Sequence, residues 1–134
     1  MLTDTTFGET DFTDADMLVL PGGQPGTTYL GEFAPLKELL KNFYDNGGKI
    51  AAICAAPTVF GKLGLLKGKK ATAYPSCMDS LTDAVTSEEK VVIDGNITTS
   101  RGLGTAVDFS LSLISQLLGE ETAEKIAESV VYRR

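Results

Sequence analysis

Histidine is missing altogether from this chain of 134 residues, and there are only 2 cysteines. Without an imidazole, no Cys–His pair is available within the chain to activate a nucleophile, and no cysteine spacing suits a metal ion. Two cysteines are too few for a disulfide framework. No apolar run is long enough to span a bilayer, and the N-terminus does not read as a signal peptide. Basic residues are also scarce, 12 against 18 acidic ones, for a net charge of −6. Their one cluster, Lys67, Lys69 and Lys70 in "GLLKGKK", reads as a solvated turn. An acidic surface repels phosphate backbones, so neither nucleic acid nor membrane is expected as a partner. The expectation left by these absences is a cytoplasmic protein in a reducing compartment, with no metal and no cofactor.

What is present is ordinary for a folded domain: 43% hydrophobic and 22% charged residues. The length fits a single domain over residues 1–134, one that hides roughly two-thirds of its unfolded surface. Apolar β-type runs alternate with helical patterns, which predicts an α/β fold with a mostly parallel sheet. "DMLVLPGG" reads as a strand entering a glycine turn. "APLKELLKNFYDNGG" reads as an amphipathic helix with Leu36, Leu39, Leu40 and Phe43 on one face, stopped by Gly47 and Gly48. "KIAAIC" is the next strand, and "APTVFGKLGLL" is helical after Pro57. A strand is expected over Lys70 to Pro75, and a short helix or turn over "SCMDSLTDAV". A hairpin follows, from Val91 to Ser100 about Asp94-Gly95-Asn96. The next helix carries Ala106, Phe109, Leu113 and Leu117 on one face. A final helix, "EETAEKIAESVVY", has acidic residues in its first turn. The opening "MLTDTTFGETDFTDAD" is polar and weakly patterned, so the first clear strand comes only at Met17.

Ligands of open α/β sheets bind beyond the carboxyl ends of the strands. Gly22 and Gly23 lie there after "LVLP", and Cys54 lies there after "KIAAI". A strand–nucleophile–helix turn needs small neighbours, which Ala55 and Ala56 supply. The free N–H groups at the following helix start favour negative charge on sulfur, and those of Gly23 and Ala55 are placed to converge on an oxyanion or an oxidised sulfur. The competing reading of Cys54 is a buried structural thiol. Cys77 reads as a packing thiol. Tyr74, at the end of its strand, is either a wall of the same cleft or a proton donor. "TSRGLGTAVDF" is either an anion-binding loop or plain helix entry. Its Arg101 is either functional or part of a surface salt bridge.

Taken together, "VLPGG", "KIAAICAAPTVFGKLGLLKGKKATAYP" and "TSRGLGTAVDFSL" resemble the ThiJ/PfpI family, in its parkinsonism-associated protein deglycase-like branch. The resemblance runs from Asp16 to near the end of the chain. It implies a flavodoxin-like three-layer sandwich with a mostly parallel sheet, usually a homodimer. It also implies a catalytic Cys54 in a nucleophile elbow, oxyanion donors at Gly23 and Ala55, and a pocket that includes Gly22, Tyr74, Arg101 and Gly102. The activity implied is that of a cysteine-dependent glyoxalase or protein deglycase acting on methylglyoxal or glycated thiols and amines, in defence against carbonyl and oxidative stress. The alternatives it implies are a redox-sensing or chaperone-like stress protein, or an intracellular cysteine peptidase or amidase. Two departures stand out. Tyr74 occupies the place where some members carry a histidine. The glutamate that the family sets beside its cysteine after the first strand has no counterpart, since Glu9, Glu32 and Glu38 fall in no matching motif. The chain is therefore expected to be N-terminally truncated, lacking a strand-helix-strand segment. Loss of a central strand would expose apolar faces of its neighbours and leave backbone groups unpaired.

Overall fold

The computed structural model describes residues 2–134. Strands β1 (Met17–Leu20), β2 (Lys49–Ile53), β5 (Val91–Asp94) and β6 (Ile97–Ser100) form one sheet in the order β1-β2-β6-β5. The β1–β2 and β2–β6 pairs are parallel, with Leu18 beside Ile50 and Ile50 beside Ile97, while β5 and β6 form an antiparallel hairpin. Gly95 takes a positive φ of 59° in its tight connection, as the Asp-Gly pair predicts.

Alternation along the strands sends side chains to two faces. Leu18, Leu20, Ile50, Ala52 and Ile97 join one core with Leu36 and Leu40 of α2 (Ala34–Asp45) and Val59 and Phe60 of α3 (Pro57–Lys62). On the other face lies α4 (Ala106–Leu118), whose Gln116 amide donates to Thr98 Oγ1 at 2.9 Å, and α5 (Glu120–Ser129) packs outside it. Three layers result, an α/β sandwich of the flavodoxin-like kind with a mostly parallel sheet. In β2, Ala51 and Ala52 are fully buried, so helices close in on both faces of the central strand. Among the described residues, no helix is long and apolar enough to cross a membrane.

Several expectations need correction. The strand over Lys70 to Pro75 shrinks to β3 (Lys70–Ala71), which pairs in parallel with β4 (Val85–Thr86) in a separate two-stranded sheet. Its N–H groups are taken by side chains and a turn: Lys70 donates to the Asp94 carboxylate, Thr72 to Thr99 Oγ1 and Tyr74 to the Cys54 carbonyl. The helix after Pro57 ends at Lys62 and gives way to turns. A further helix, α1 (Gly26–Glu32), forms in a segment to which the sequence pattern assigns no element. On α4, Phe109 and Leu111 are the buried pair, while Leu117, on the expected face, is 44% exposed. The polar N-terminal segment hides an aromatic cluster, in which the Phe7 ring sits 5.1 Å from those of both Phe12 and Phe33. β1 is an edge strand among the described residues, and its Val19 is 44% exposed.

Phe60 is fully buried at the joint between α3 and the core. Replacing it with alanine is expected to cost about 3–5 kcal/mol of stability. A urea titration followed by circular dichroism reads this as a large fall in midpoint. A shift of less than about 1 kcal/mol would mean that Phe60 is not a core contact.

Candidate functional site

The carboxyl ends of β1 and β2 meet at Cys54. The chain leaves β2 through a turn closed by the Ala56 N–H on the Ile53 carbonyl at 3.2 Å. Cys54 occupies that turn with φ +66°, a left-handed conformation that costs a non-glycine residue about 1–2 kcal/mol. Two main-chain bonds hold it there. Its N–H donates to the Ser100 carbonyl at the end of β6 (3.1 Å), and its carbonyl accepts from the Tyr74 N–H (2.8 Å). The residue is partly buried and carries a free thiol.

Gly22 lies directly against it. A β-carbon at position 22 would sit 2.5 Å from the Cys54 β-carbon and 2.8 Å from the Ile53 carbonyl oxygen, so only glycine fits this approach. Gly23 follows with φ +94°. Its carbonyl is caught by both the N–H and the hydroxyl of Thr27, each at 2.9 Å. The Ala55 carbonyl is caught in the same manner by Thr58, whose N–H lies at 3.1 Å and hydroxyl at 2.7 Å. The N–H groups of Gly23 and Ala55 themselves have no partner among the described residues. Thr27 and Thr58 escaped the sequence reading. The signal that finds them is a hydroxyl residue three or four places beyond a glycine or alanine turn, at a helix start.

The third wall comes from the segment after β6. The Ser100 hydroxyl donates to the Lys90 carbonyl (2.5 Å) and lies 2.7 Å from Thr105 Oγ1. Thr105 Oγ1 in turn accepts the N–H groups of Arg101 (3.2 Å) and Gly102 (3.1 Å). The Arg101 and Gly102 N–H groups are therefore committed internally, while those of Leu103 and Gly104 have no partner among the described residues. Arg101 forms no salt bridge among the described residues. Its Nε donates to the Ala73 carbonyl at 3.1 Å. Tyr74 is 48% exposed, and its ring edge stands 3.6 Å from where a Gly102 β-carbon would lie. Cys54, Gly22, Gly23, Ala55, Tyr74, Arg101 and Gly102 are thus gathered by β1, β2 and β6 at one end of the sheet. Cys77 is half-buried against the core. No carboxylate of the described residues hydrogen-bonds to Cys54. A groove of about 1040 Å³ lies at the opposite end of the strands, walled by Phe12, Leu39, Phe43 and Leu117, and takes in none of these residues.

Residues 1–116 match the model of the DJ-1/PfpI family. The chain is 45% identical over 137 residues to Protein DJ-1 homolog B of Arabidopsis thaliana, covering 99% of this chain and 31% of that protein. It is 35% identical over 113 residues to the glutathione-independent glyoxalase DJR-1.2 of Caenorhabditis elegans, covering 83% of this chain and 60% of that protein. The crystal structure of Drosophila melanogaster DJ-1beta superposes with a TM-score of 0.83 at 42% identity, over 89% of this chain and 65% of that one. The chain therefore spans less than two-thirds of the length of each of these three proteins.

The close approach of β1 to Cys54 has a direct test. Gly22→Ala is expected to destabilise the fold by about 1–3 kcal/mol through overpacking, seen as a lower midpoint in thermal unfolding. An unchanged midpoint would show that the end of β1 does not abut the cysteine.

Proposed function

Because the chain belongs to the DJ-1/PfpI family, we propose that it is a cysteine-dependent glyoxalase or deglycase of the cytoplasm that works as a homodimer and acts on methylglyoxal or its early adducts. The observation that carries this reading is the setting of Cys54. A partly buried free cysteine is held at positive φ close against Gly22, and the N–H groups of the next residues along each segment, Gly23 and Ala55, have no partner among the described residues. The glyoxalase among its relatives supports the reaction class.

In this reading the Cys54 thiolate adds to the aldehyde carbon and forms a C–S bond. The carbonyl π-pair moves to oxygen, giving a hemithioacetal alkoxide. The Gly23 and Ala55 N–H groups stabilise that oxyanion, a role that needs fixed donors rather than mobile water. The thiol proton goes to the medium or to the alkoxide. A carboxyl from outside this chain then carries the aldehyde proton to the neighbouring carbon, and water releases a 2-hydroxy acid, so that dicarbonyl plus one water balances the product. Tyr74 forms a wall beside the reacting sulfur.

The same two donors suit a second reading, in which Cys54 is oxidised to sulfinic acid and acts as a stress sensor, because a sulfinate oxygen takes the place of the alkoxide. Mass spectrometry after graded peroxide separates the two sulfurs. The sensor reading requires Cys54 to oxidise before Cys77, and the reverse order removes it. For the enzyme reading, Cys54→Ala is expected to lower methylglyoxal consumption by about a thousandfold or more while Cys77→Ala leaves it intact. Turnover that survives in Cys54→Ala would overturn it. Light scattering that finds a monomer would remove the homodimer.

A further inference from the structure

Arg101 is the one arginine outside the C-terminal pair, and the chemistry above leaves its guanidinium unused. The side chain is half-buried. It is tied to the cysteine from two directions. Its main chain follows Ser100, whose carbonyl holds the Cys54 N–H at 3.1 Å. Its Nε donates to the carbonyl of Ala73, the residue before Tyr74, and the Tyr74 N–H holds the Cys54 carbonyl at 2.8 Å. Thr105 pins the backbone of Arg101 and Gly102 through their N–H groups.

With Nε engaged, the remaining guanidinium N–H groups bond to nothing among the described residues, and none of their nitrogens is sealed from solvent. Arg101 pairs with no carboxylate there either, although the chain holds 18 acidic residues against 12 basic ones. A half-buried cation without a counter-charge is unfavourable. A planar fork with its outer nitrogens open matches a carboxylate in a two-point contact. The two backbone N–H groups nearest the side chain, those of Arg101 and Gly102, are spent on Thr105 Oγ1 and leave the guanidinium as the charged donor at this point.

We propose that Arg101 is the specificity-determining residue of the Cys54 cleft. It holds the carboxylate of a substrate whose reactive carbonyl meets the sulfur, so that among the aldehydes that add to Cys54 those bearing a carboxylate react faster than neutral ones such as methylglyoxal. The proposal rests on Cys54 being the reacting thiol, and the experiment separates the two claims.

Iodoacetate and iodoacetamide both alkylate a thiolate with loss of iodide, and only the first carries a carboxylate. Their rates at Cys54 are read by mass spectrometry of its peptide, beside a small free thiol as reference. The iodoacetate-to-iodoacetamide ratio at Cys54 is expected to exceed the reference about fivefold. Arg101→Gln brings it down to the reference, and Arg101→Lys restores most of it. A merely structural arginine would slow both reagents together and leave the ratio alone. Added salt is expected to slow iodoacetate and spare iodoacetamide. The net charge of −6 by itself would produce the opposite sign, with screening speeding the anion. This arm needs no variant. A wild-type ratio equal to the reference, a ratio unchanged in Arg101→Gln, or an iodoacetate rate that rises with salt overturns the role of Arg101 while Cys54 stays reactive. A Cys54 that resists both reagents overturns the reading of the thiol itself, and the substrate preference with it.

Discussion

The arrangement depends on a pair of main-chain hydrogen bonds that keep Cys54 in a conformation it would not choose. At φ +66° the β-carbon crowds its own carbonyl. The bonds to Ser100 and Tyr74 come from segments remote in sequence, so the strain is held by the tertiary fold and not by the turn. Such strain persists only where the surroundings over-determine the backbone. Here β6 supplies one restraint and the segment after β3 the other. The consequence is positional, because the side chain is lifted out of the line of β2 toward the cleft.

The cleft around the sulfur follows from the same logic. Gly22 lets β1 come within a side chain's width of Cys54, and any larger residue would force the strand away. Gly23 and Ala55 each have their carbonyl fixed by a threonine, which settles the orientation of the local backbone and leaves each N–H unspent. On the third side, Ser100 and Thr105 share a hydroxyl pair that fixes the backbone carrying Arg101. Donors held in this way need little reorganisation when charge develops, which is the condition for strong electrostatic stabilisation.

Much of this is legible in the residues. The small-residue run after Cys54 and the glycine pair after β1 locate the site, because close backbone approach has few chemical solutions. The strands β1 and β2 and the 91–100 hairpin follow from apolar runs and one Asp-Gly turn. The failures have a common cause. β3 ends at Ala71 because Asp94 and Thr99 side chains take N–H groups that a ladder would have used, and no local pattern reports a bond across such distances. The helix Gly26–Glu32 is packed into being against α2 and α3, overriding its weak propensity. Phe7 and Phe12 lie in a polar stretch with no apolar periodicity, and the Phe7 ring meets those of Phe12 and Phe33 only in the folded chain. At the site, the threonine anchors are local bonds that spacing could have flagged, whereas the free guanidinium of Arg101 is a product of tertiary geometry, so spacing alone could not choose between its two readings.

The residues gathered at Cys54 divide the proposed chemistry into two parts. Capture of an aldehyde needs a nucleophile and a stabilised oxyanion, and the chain carries groups suited to both. Moving a proton between adjacent carbons needs a base, and neither a histidine nor a carboxylate bonded to Cys54 is found among the described residues. Addition of a thiol to an aldehyde is readily reversed, because the alkoxide can expel the sulfur again. Groups that stabilise the alkoxide without moving a proton favour a long-lived adduct over a fast cycle. An arginine gripping the carboxylate of the bound molecule pushes the balance the same way, since it holds the aldehyde near the sulfur after each reversal. Within the proposed chemistry, then, the groups gathered here account for selective capture, and proton transfer within the adduct is the step they leave to a base.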